Sequence, residues 1–137
     1  MTKKRIIVGI SGASGAIYGI ETLNALRIAG VESHLVVSKT AQITIAHETT
    51  YTLPQVHALA DHFYSPQDLA AAISSGSFKT EGMVVAPCSM RTLSEIATAN
   101  TGSLLTRAAD VVLKERRRLV LMVRETPLTN AHLKNML

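Results

Sequence analysis

Apolar and polar positions along the chain follow two alternating patterns, which together predict an α/β fold. Short unbroken apolar runs are typical of buried parallel strands, and apolar residues at helical spacing follow most of them. The predicted strands are residues 5–10, 33–38, 82–86 and 119–123. The predicted helices are residues 16–28, 40–47, 91–99 and 104–115.

Two parts of the chain give weaker patterns. Between Thr49 and Lys79, prolines predict short helices over residues 54–60 and 66–73, followed by a flexible loop at 74–77. Thr129 is a predicted N-cap for a helix that runs to Leu137. That helix meets the end of the chain with no capping signal, which suggests further sequence in a complete protein.

Strands that alternate with helices predict parallel pairing through right-handed crossovers. We therefore expect one doubly wound α/β domain over residues 1–137, of Rossmann or flavodoxin type, with helices on both faces of the sheet. A composition of 47% hydrophobic and 18% charged residues suits such a buried sheet.

Charge and cysteine content exclude several classes of function and site. The formal charge of +4 is compatible with phosphorylated ligands, but no basic stripe with interleaved aromatics accompanies it, so nucleic acid is not expected. The single cysteine, Cys88, forms no intrachain disulfide and favours a cytoplasmic location. No apolar run predicts a membrane span, and the five histidines match no metalloenzyme motif, so no metal is predicted.

The glycine-rich segment 9–15 follows the first predicted strand and precedes a helix. Small residues there let an anion approach backbone N–H groups at the helix N-terminus, although glycine can also serve turn geometry alone. NAD is disfavoured, because residues 37–39 place no acidic side chain after the second strand. A flavin or nucleotide phosphate, including NADP, remains compatible.

Further polar groups are predicted at the same edge of the sheet. Ser89 and Thr92 follow a buried strand, where they favour either a phosphate site shared with Ser14 and Ser38 or ordinary N-caps. Cys88 lacks an identifiable base, so a structural role is preferred over a nucleophilic one. The remaining charged candidates also have ordinary alternatives, which are surface roles for Glu48, Arg107 and Lys114 and a structural charge pair for Arg124 and Glu125.

Six segments in order resemble the UbiX-type flavin prenyltransferases, formerly called aromatic acid decarboxylase subunits. They are G-I-S-G-A-S-G-A-I-Y-G, S-K-T-A, S-S-G-S, A-P-C-S-M-R-T-L, R-A-A-D-V-V-L-K-E-R-R and V-R-E-T-P-L. The resemblance implies transfer of a dimethylallyl group from dimethylallyl phosphate to N5 and C6 of reduced FMN, without a metal. The prenylated FMN would serve a UbiD-type decarboxylase.

The same resemblance implies the site residues. Those implied to bind FMN are Gly12, Ala13, Ser14, Ser38, Ser89, Met90, Arg91, Thr92 and Arg124. Lys114 and Arg124, with Arg107 nearby, are implied to hold the substrate phosphate, and Ser14, Glu48 and Glu125 to move protons.

At the scale of the assembly, the resemblance implies a homo-oligomer, commonly a dodecamer, with FMN bound between subunits. The chain ends before the segment in which the family supplies a tyrosine and a further basic residue to the prenyl phosphate. A catalytically incomplete FMN-binding accessory subunit is therefore the alternative function. Two other functions are disfavoured, because the chain lacks the motifs expected of an NADP-dependent reductase and of a peptidyl-cysteine decarboxylase.

Overall fold

Five parallel strands form one sheet in a computed structural model that describes residues 3–137. Across the sheet their order is β3-β2-β1-β4-β5, which is the order of the first five strands of a Rossmann domain. The strands are β1 Arg5–Ile10, β2 Glu32–Val37, β3 His62–Tyr64, β4 Gly82–Cys88 and β5 Arg118–Val123. The predicted parallel sheet is confirmed.

Helices cover both faces of this sheet. They are α1 Ala16–Ile28, α2 Lys39–Glu48, α3 Leu53–Leu59, α4 Met90–Ala97, α5 Leu104–Lys114 and α6 Asn130–Met136, with a 3-10 turn at Ala72–Ser74. Successive strand residues point to opposite faces. Val8 therefore packs in a core with Ile20 of α1, whereas Ile7 packs in a second core with Leu105 of α5. Two cores, one on each face, confirm the doubly wound arrangement.

Two local predictions differ from the structure. The helix predicted over 66–73 is wrong, because turns occupy most of that segment and only the 3-10 turn follows. Ser65 and Asp68 accept hydrogen bonds from backbone N–H groups two residues ahead, which favours turns over a helix. Strand β3 was not predicted, because three residues with two exposed side chains give no apolar run.

Strand order places β1 at the point where the chain changes direction across the sheet. From β1 the chain first builds β2 and β3 on one side, and then crosses to β4 and β5 on the other. Ligands of open α/β sheets bind at the carboxyl ends of the strands that flank such a switch point. Those ends are Ile10 of β1 and Cys88 of β4.

Across the described residues, the helices are all too short or too polar to traverse a bilayer.

Candidate functional site

Three helices begin at the carboxyl edge of the sheet, directly after β1, β2 and β4. Ser38 caps α2 by accepting a hydrogen bond from the Ala41 N–H at 3.1 Å. Ser89 caps α4 by accepting one from the Thr92 N–H at 3.1 Å, and its hydroxyl donates to Thr92 Oγ1 at 3.0 Å. The N-cap alternative is therefore confirmed for Ser89 but not for Thr92, which lies inside α4, and Ser38 is an N-cap that the sequence analysis did not predict. The positive ends of three helix dipoles meet at this edge.

Helix α1 has a different cap, supplied from α2. Glu48, the last residue of α2, accepts hydrogen bonds through Oε1 from the N–H groups of Gly15 at 3.0 Å and Ala16 at 3.2 Å. A carboxylate is favourable at a helix N-terminus because it complements the dipole. The sequence had suggested an ordinary surface carboxylate as the alternative role of Glu48. Glu48 is indeed exposed, and the structure also brings its carboxylate to the glycine-rich segment.

Arg124 reaches the same segment from the opposite side of β1. It follows the last residue of β5, and its guanidinium lies 4.7 Å from the ring centroid of Tyr18 in α1. Gly15 has a φ of 104°, and a Cβ there would lie 2.6 Å from Arg124 Nη1. The backbone conformation of this position favours glycine, and any side chain there would also displace the Arg124 guanidinium.

The segment between β1 and α1 has little space for side chains on one side. A Cβ on Gly12 would collide with the Thr40 side chain at the start of α2. Gly12 and Ala13 are half-buried, whereas Ser14 is exposed. The backbone of residues 12–14 therefore passes close to α2, with the Ser14 side chain at the surface.

Ser11 joins the two loops that flank the switch point. Its Oγ donates to the Pro87 carbonyl at 2.7 Å and accepts from the Ser89 N–H at 2.8 Å. The side chain is buried, with 1% of its surface exposed. Sequence reasoning missed this residue, because a single serine in a glycine-rich turn carries no signal of a partner 76 or 78 positions away.

The predicted phosphate ligands are not all brought together within one chain. Arg107 lies in the first turn of α5, and Lys114 ends that helix, about 10 Å further along its axis. Lys114 is therefore at the end of α5 that leads into β5, whereas Arg124 follows the far end of β5, about 20 Å away along the strand. Within a single chain, Lys114 lies near the amino ends of the strands and Arg124 near their carboxyl ends.

The charged candidates lie at the surface and make few ion pairs. All four of Arg107, Lys114, Arg124 and Glu125 are exposed. Within residues 3–137, the ion pairs of the structure include no carboxylate partner for Arg124 or Lys114. Arg91 makes only a loose contact with Glu95 at 3.9 Å, with 84% of its side chain exposed, and such a pair contributes little.

Cys88 ends β4 beneath this edge. It is fully buried, and burial raises the pKa of its thiol to about 12. The reactive thiolate is therefore a negligible fraction at neutral pH. These observations support the structural role predicted for Cys88.

The donor set of the site suits a phosphate-bearing ligand. Helix N-termini, seryl hydroxyls and the unpaired Arg124 guanidinium are the groups that bind phosphate in α/β proteins. Ser14 is the exposed residue of the glycine-rich segment, so a ligand would meet this segment there.

Comparisons with known proteins agree with this arrangement. The Flavoprotein family model matches residues 1–136. The flavin prenyltransferase UbiX of Neisseria meningitidis is 61% identical over 133 residues, which cover 97% of this chain and 70% of that protein. The chain belongs to the UbiX-type flavin prenyltransferases.

Solved structures of UbiX proteins match the fold closely. A crystal structure of AnUbiX (PadA1) in complex with FMN and dimethylallyl pyrophosphate has a TM-score of 0.98 and 53% identity, over 98% of this chain and 72% of that one. The dodecameric FMN-dependent UbiX-like decarboxylase of Escherichia coli O157:H7 has a TM-score of 0.95 and 55% identity, over 96% and 73%.

The predicted family, the flavoprotein class and the doubly wound fold are thus confirmed. This UbiX-type chain spans only 66% to 71% of the length of curated relatives such as those of Bacillus subtilis and Escherichia coli K12. The roles of individual site residues stay predictions.

Proposed function

We propose that this chain binds FMN at the carboxyl edge of its sheet and transfers a dimethylallyl group to the reduced flavin. The observation that supports this best is the carboxyl edge at the switch point, where Arg124 lies over Gly15 and has no carboxylate partner among residues 3–137. In the AnUbiX structure, the complex contains both FMN and dimethylallyl pyrophosphate.

The residues at this edge fit a flavin phosphate. Thr40 and Arg124 fill the space beside Gly12 and Gly15, so a ligand would approach from the side on which Ser14 is exposed. The Ser14 hydroxyl is exposed, and Ser38 and Ser89 stand at helix N-caps that a phosphate also favours. Glu48 already accepts from the Gly15 and Ala16 N–H groups, so the phosphate is expected at residues 12–14 and at the starts of α2 and α4. When bound, reduced FMN supplies the nucleophilic ring atoms N5 and C6.

Arg124 is the residue we assign to the leaving phosphate of the prenyl donor. Its guanidinium is fixed over Tyr18 and offers a fork of donors that matches phosphate oxygens. Negative charge grows on those oxygens as the carbon–oxygen bond of the donor breaks, and a preoriented cation stabilises it. Arg107 lies at the start of α5 and can add to this positive field.

Proton transfer is assigned to Glu48, with Ser14 and Glu125 as further candidates. Glu48 is held at the start of α1 by two backbone hydrogen bonds through Oε1, which leaves Oε2 to accept a proton. Ser14 and Glu125 are exposed next to Gly15 and Arg124 in sequence, so both belong to the same edge.

Lys114 requires a second copy of the chain if it is to act on the same phosphate. Within one chain it lies at the opposite edge of the sheet from Arg124. We therefore propose that the working unit is a homo-oligomer in which α5 of one subunit brings Lys114 to the Arg124 edge of another. The dodecameric E. coli relative makes such an assembly a reasonable expectation.

The test is anaerobic incubation of the purified chain with reduced FMN and dimethylallyl phosphate, followed by mass spectrometry of the extracted flavin. A gain of one prenyl unit supports the transferase. Arg124→Ala should abolish the gain, whereas Arg118→Ala, the same change at the other end of β5, should preserve it.

FMN that is bound but unmodified would instead support the alternative, an FMN-binding accessory subunit of a decarboxylase system. The separation of Lys114 from Arg124 within one chain is the observation that favours this alternative. Absence of FMN binding would contradict both. Use of the product by a UbiD-type decarboxylase and the cytoplasmic location, which rests on the lone cysteine Cys88, are further proposals.

A further inference from the structure

A cluster of three metal-ligating side chains lies at the other end of the sheet, away from the proposed flavin site. Glu32 and His34 are two positions apart on β2, so their side chains point to the same face. His34 pairs in register with His62, the first residue of the edge strand β3. The ligand atoms of all three side chains lie within 4.8 Å of one another.

The distances within this Glu32–His34–His62 cluster approach those of a metal site. His34 Nε2 lies 3.3 Å from Glu32 Oε2, and His62 Nε2 lies 3.3 Å from Glu32 Oε1. Two ligands that each lie about 2.0–2.1 Å from a tetrahedral zinc ion are about 3.3 Å apart. The two imidazole rings are stacked with centroids 4.6 Å apart, so one ring must tilt to share an ion. His62 is 52% exposed and has room to do so.

His34 has the outer hydrogen bond that metal-bound histidines need. Its Nδ1 lies 2.8 Å from the Tyr64 hydroxyl, and its ring is only 3% exposed. Without an ion, His34 Nε2–H can donate to Glu32 while Nδ1 accepts from the Tyr64 hydroxyl. An ion on Nε2 would replace that proton and select the tautomer in which Nδ1–H donates to Tyr64. Tyr64 therefore acts as a positioning residue for His34.

Arg5 both supports and limits the site. Its Nε donates to Glu32 Oε2 at 3.0 Å, which orients the carboxylate and leaves Oε1 toward His62. Its guanidinium also stacks on Phe78, 4.4 Å from the ring centroid. The same positive charge repels a metal ion, so binding should be weaker than in a zinc site closed by four protein ligands.

We propose that Glu32, His34 and His62 bind one Zn²⁺ ion, with water completing the tetrahedral coordination. The ion would connect β2 to the short edge strand β3, which otherwise pairs with β2 through only three residues. The sequence analysis predicted no metal, because the three ligands come from separate positions on two strands and match no local metal motif.

The test is titration of the purified chain with ZnCl₂ in an isothermal calorimeter. A second measurement compares the thermal unfolding midpoint with and without ZnCl₂. We expect one equivalent of Zn²⁺ to bind and to raise the midpoint, since a ligand of the folded state stabilises it. His62→Ala removes an exposed ligand with little risk to folding and should abolish both effects. His47→Ala, an exposed histidine outside the cluster, is the matched control and should retain them.

Tyr64→Phe tests the positioning role, because it removes the hydroxyl and leaves all three ligands. It should weaken Zn²⁺ binding about 10-fold, the usual cost of an outer hydrogen bond to a ligand. No Zn²⁺ binding by the unaltered chain, or equal binding by the His62→Ala variant, would overturn the proposal. Neither readout depends on flavin or prenyl transfer.

Discussion

Arg124 and Glu48 approach Gly15 from two sides with opposite charges. Glu48 takes the two backbone N–H groups at the start of α1, and Arg124 covers the glycine from above Tyr18. The site therefore contains a fixed acceptor and a fixed cation on either side of one residue that has no side chain. This separation suits a reaction in which a phosphate leaves while a proton is moved.

Cys88 is the residue whose environment gives the most direct prediction. Its pKa of about 12 means that the thiol stays protonated at neutral pH, and the side chain is fully buried. We expect iodoacetamide to leave Cys88 unmodified in the folded chain and to alkylate it in urea, as intact-mass spectrometry would show. Rapid alkylation under native conditions would contradict the structural role, whereas Cys88→Ala should retain most of the prenyl transfer activity.

Ser11 connects elements that are distant in sequence, the loop after β1 and the loop after β4. Its hydroxyl satisfies both the Pro87 carbonyl and the Ser89 N–H in a buried position. Ser11→Ala leaves the Ser89 N–H without this partner, so we expect the free energy of unfolding to fall by about 1–3 kcal/mol. Urea denaturation monitored by circular dichroism measures the change.

Ser14→Ala is the matched control for stability, because Ser14 is exposed three residues further along the same loop. It should change the free energy of unfolding by less than about 0.5 kcal/mol. Equal losses for the two variants would mean that the link between the loops contributes nothing specific.

The elements differ in how far the sequence could predict them. The strands β1, β2 and β4 were predictable because burial on both faces produces unbroken apolar runs, and β5 has such a run although its side chains stay partly exposed. Strand β3 was not, since its pairing with β2 depends on backbone groups and on residues such as His62 that have no strand pattern.

The residues of the candidate site also differ in how far the sequence could predict them. Gly12, Ser38 and Ser89 were predictable because they follow strands directly, and parallel strands end at one edge. The contacts of Ser11, Glu48 and Tyr18 were not, because each joins two elements that only the tertiary fold brings together.

At the scale of the whole molecule, the proposed functional groups are divided between two edges of the sheet. Arg124, Glu48 and the glycine-rich segment lie at the carboxyl edge, whereas Lys114 ends α5 near the start of β5. One chain cannot place Lys114 and Arg124 on the same phosphate without unfolding. If both are needed, each active site must combine two subunits, as symmetric oligomers allow.

Co-expression of two variants tests this division directly. Lys114→Ala and Arg124→Ala should each be inactive in prenyl transfer when expressed alone, since each removes one cation from every site. In a mixed oligomer with random assembly, about a quarter of the sites would combine an intact Arg124 from one subunit with an intact Lys114 from another. Differently tagged variants, purified through both tags, should therefore recover about a quarter of the activity, measured as prenylated flavin by mass spectrometry. Mixed oligomers with no more activity than either variant alone would show that the two residues do not act across a subunit interface.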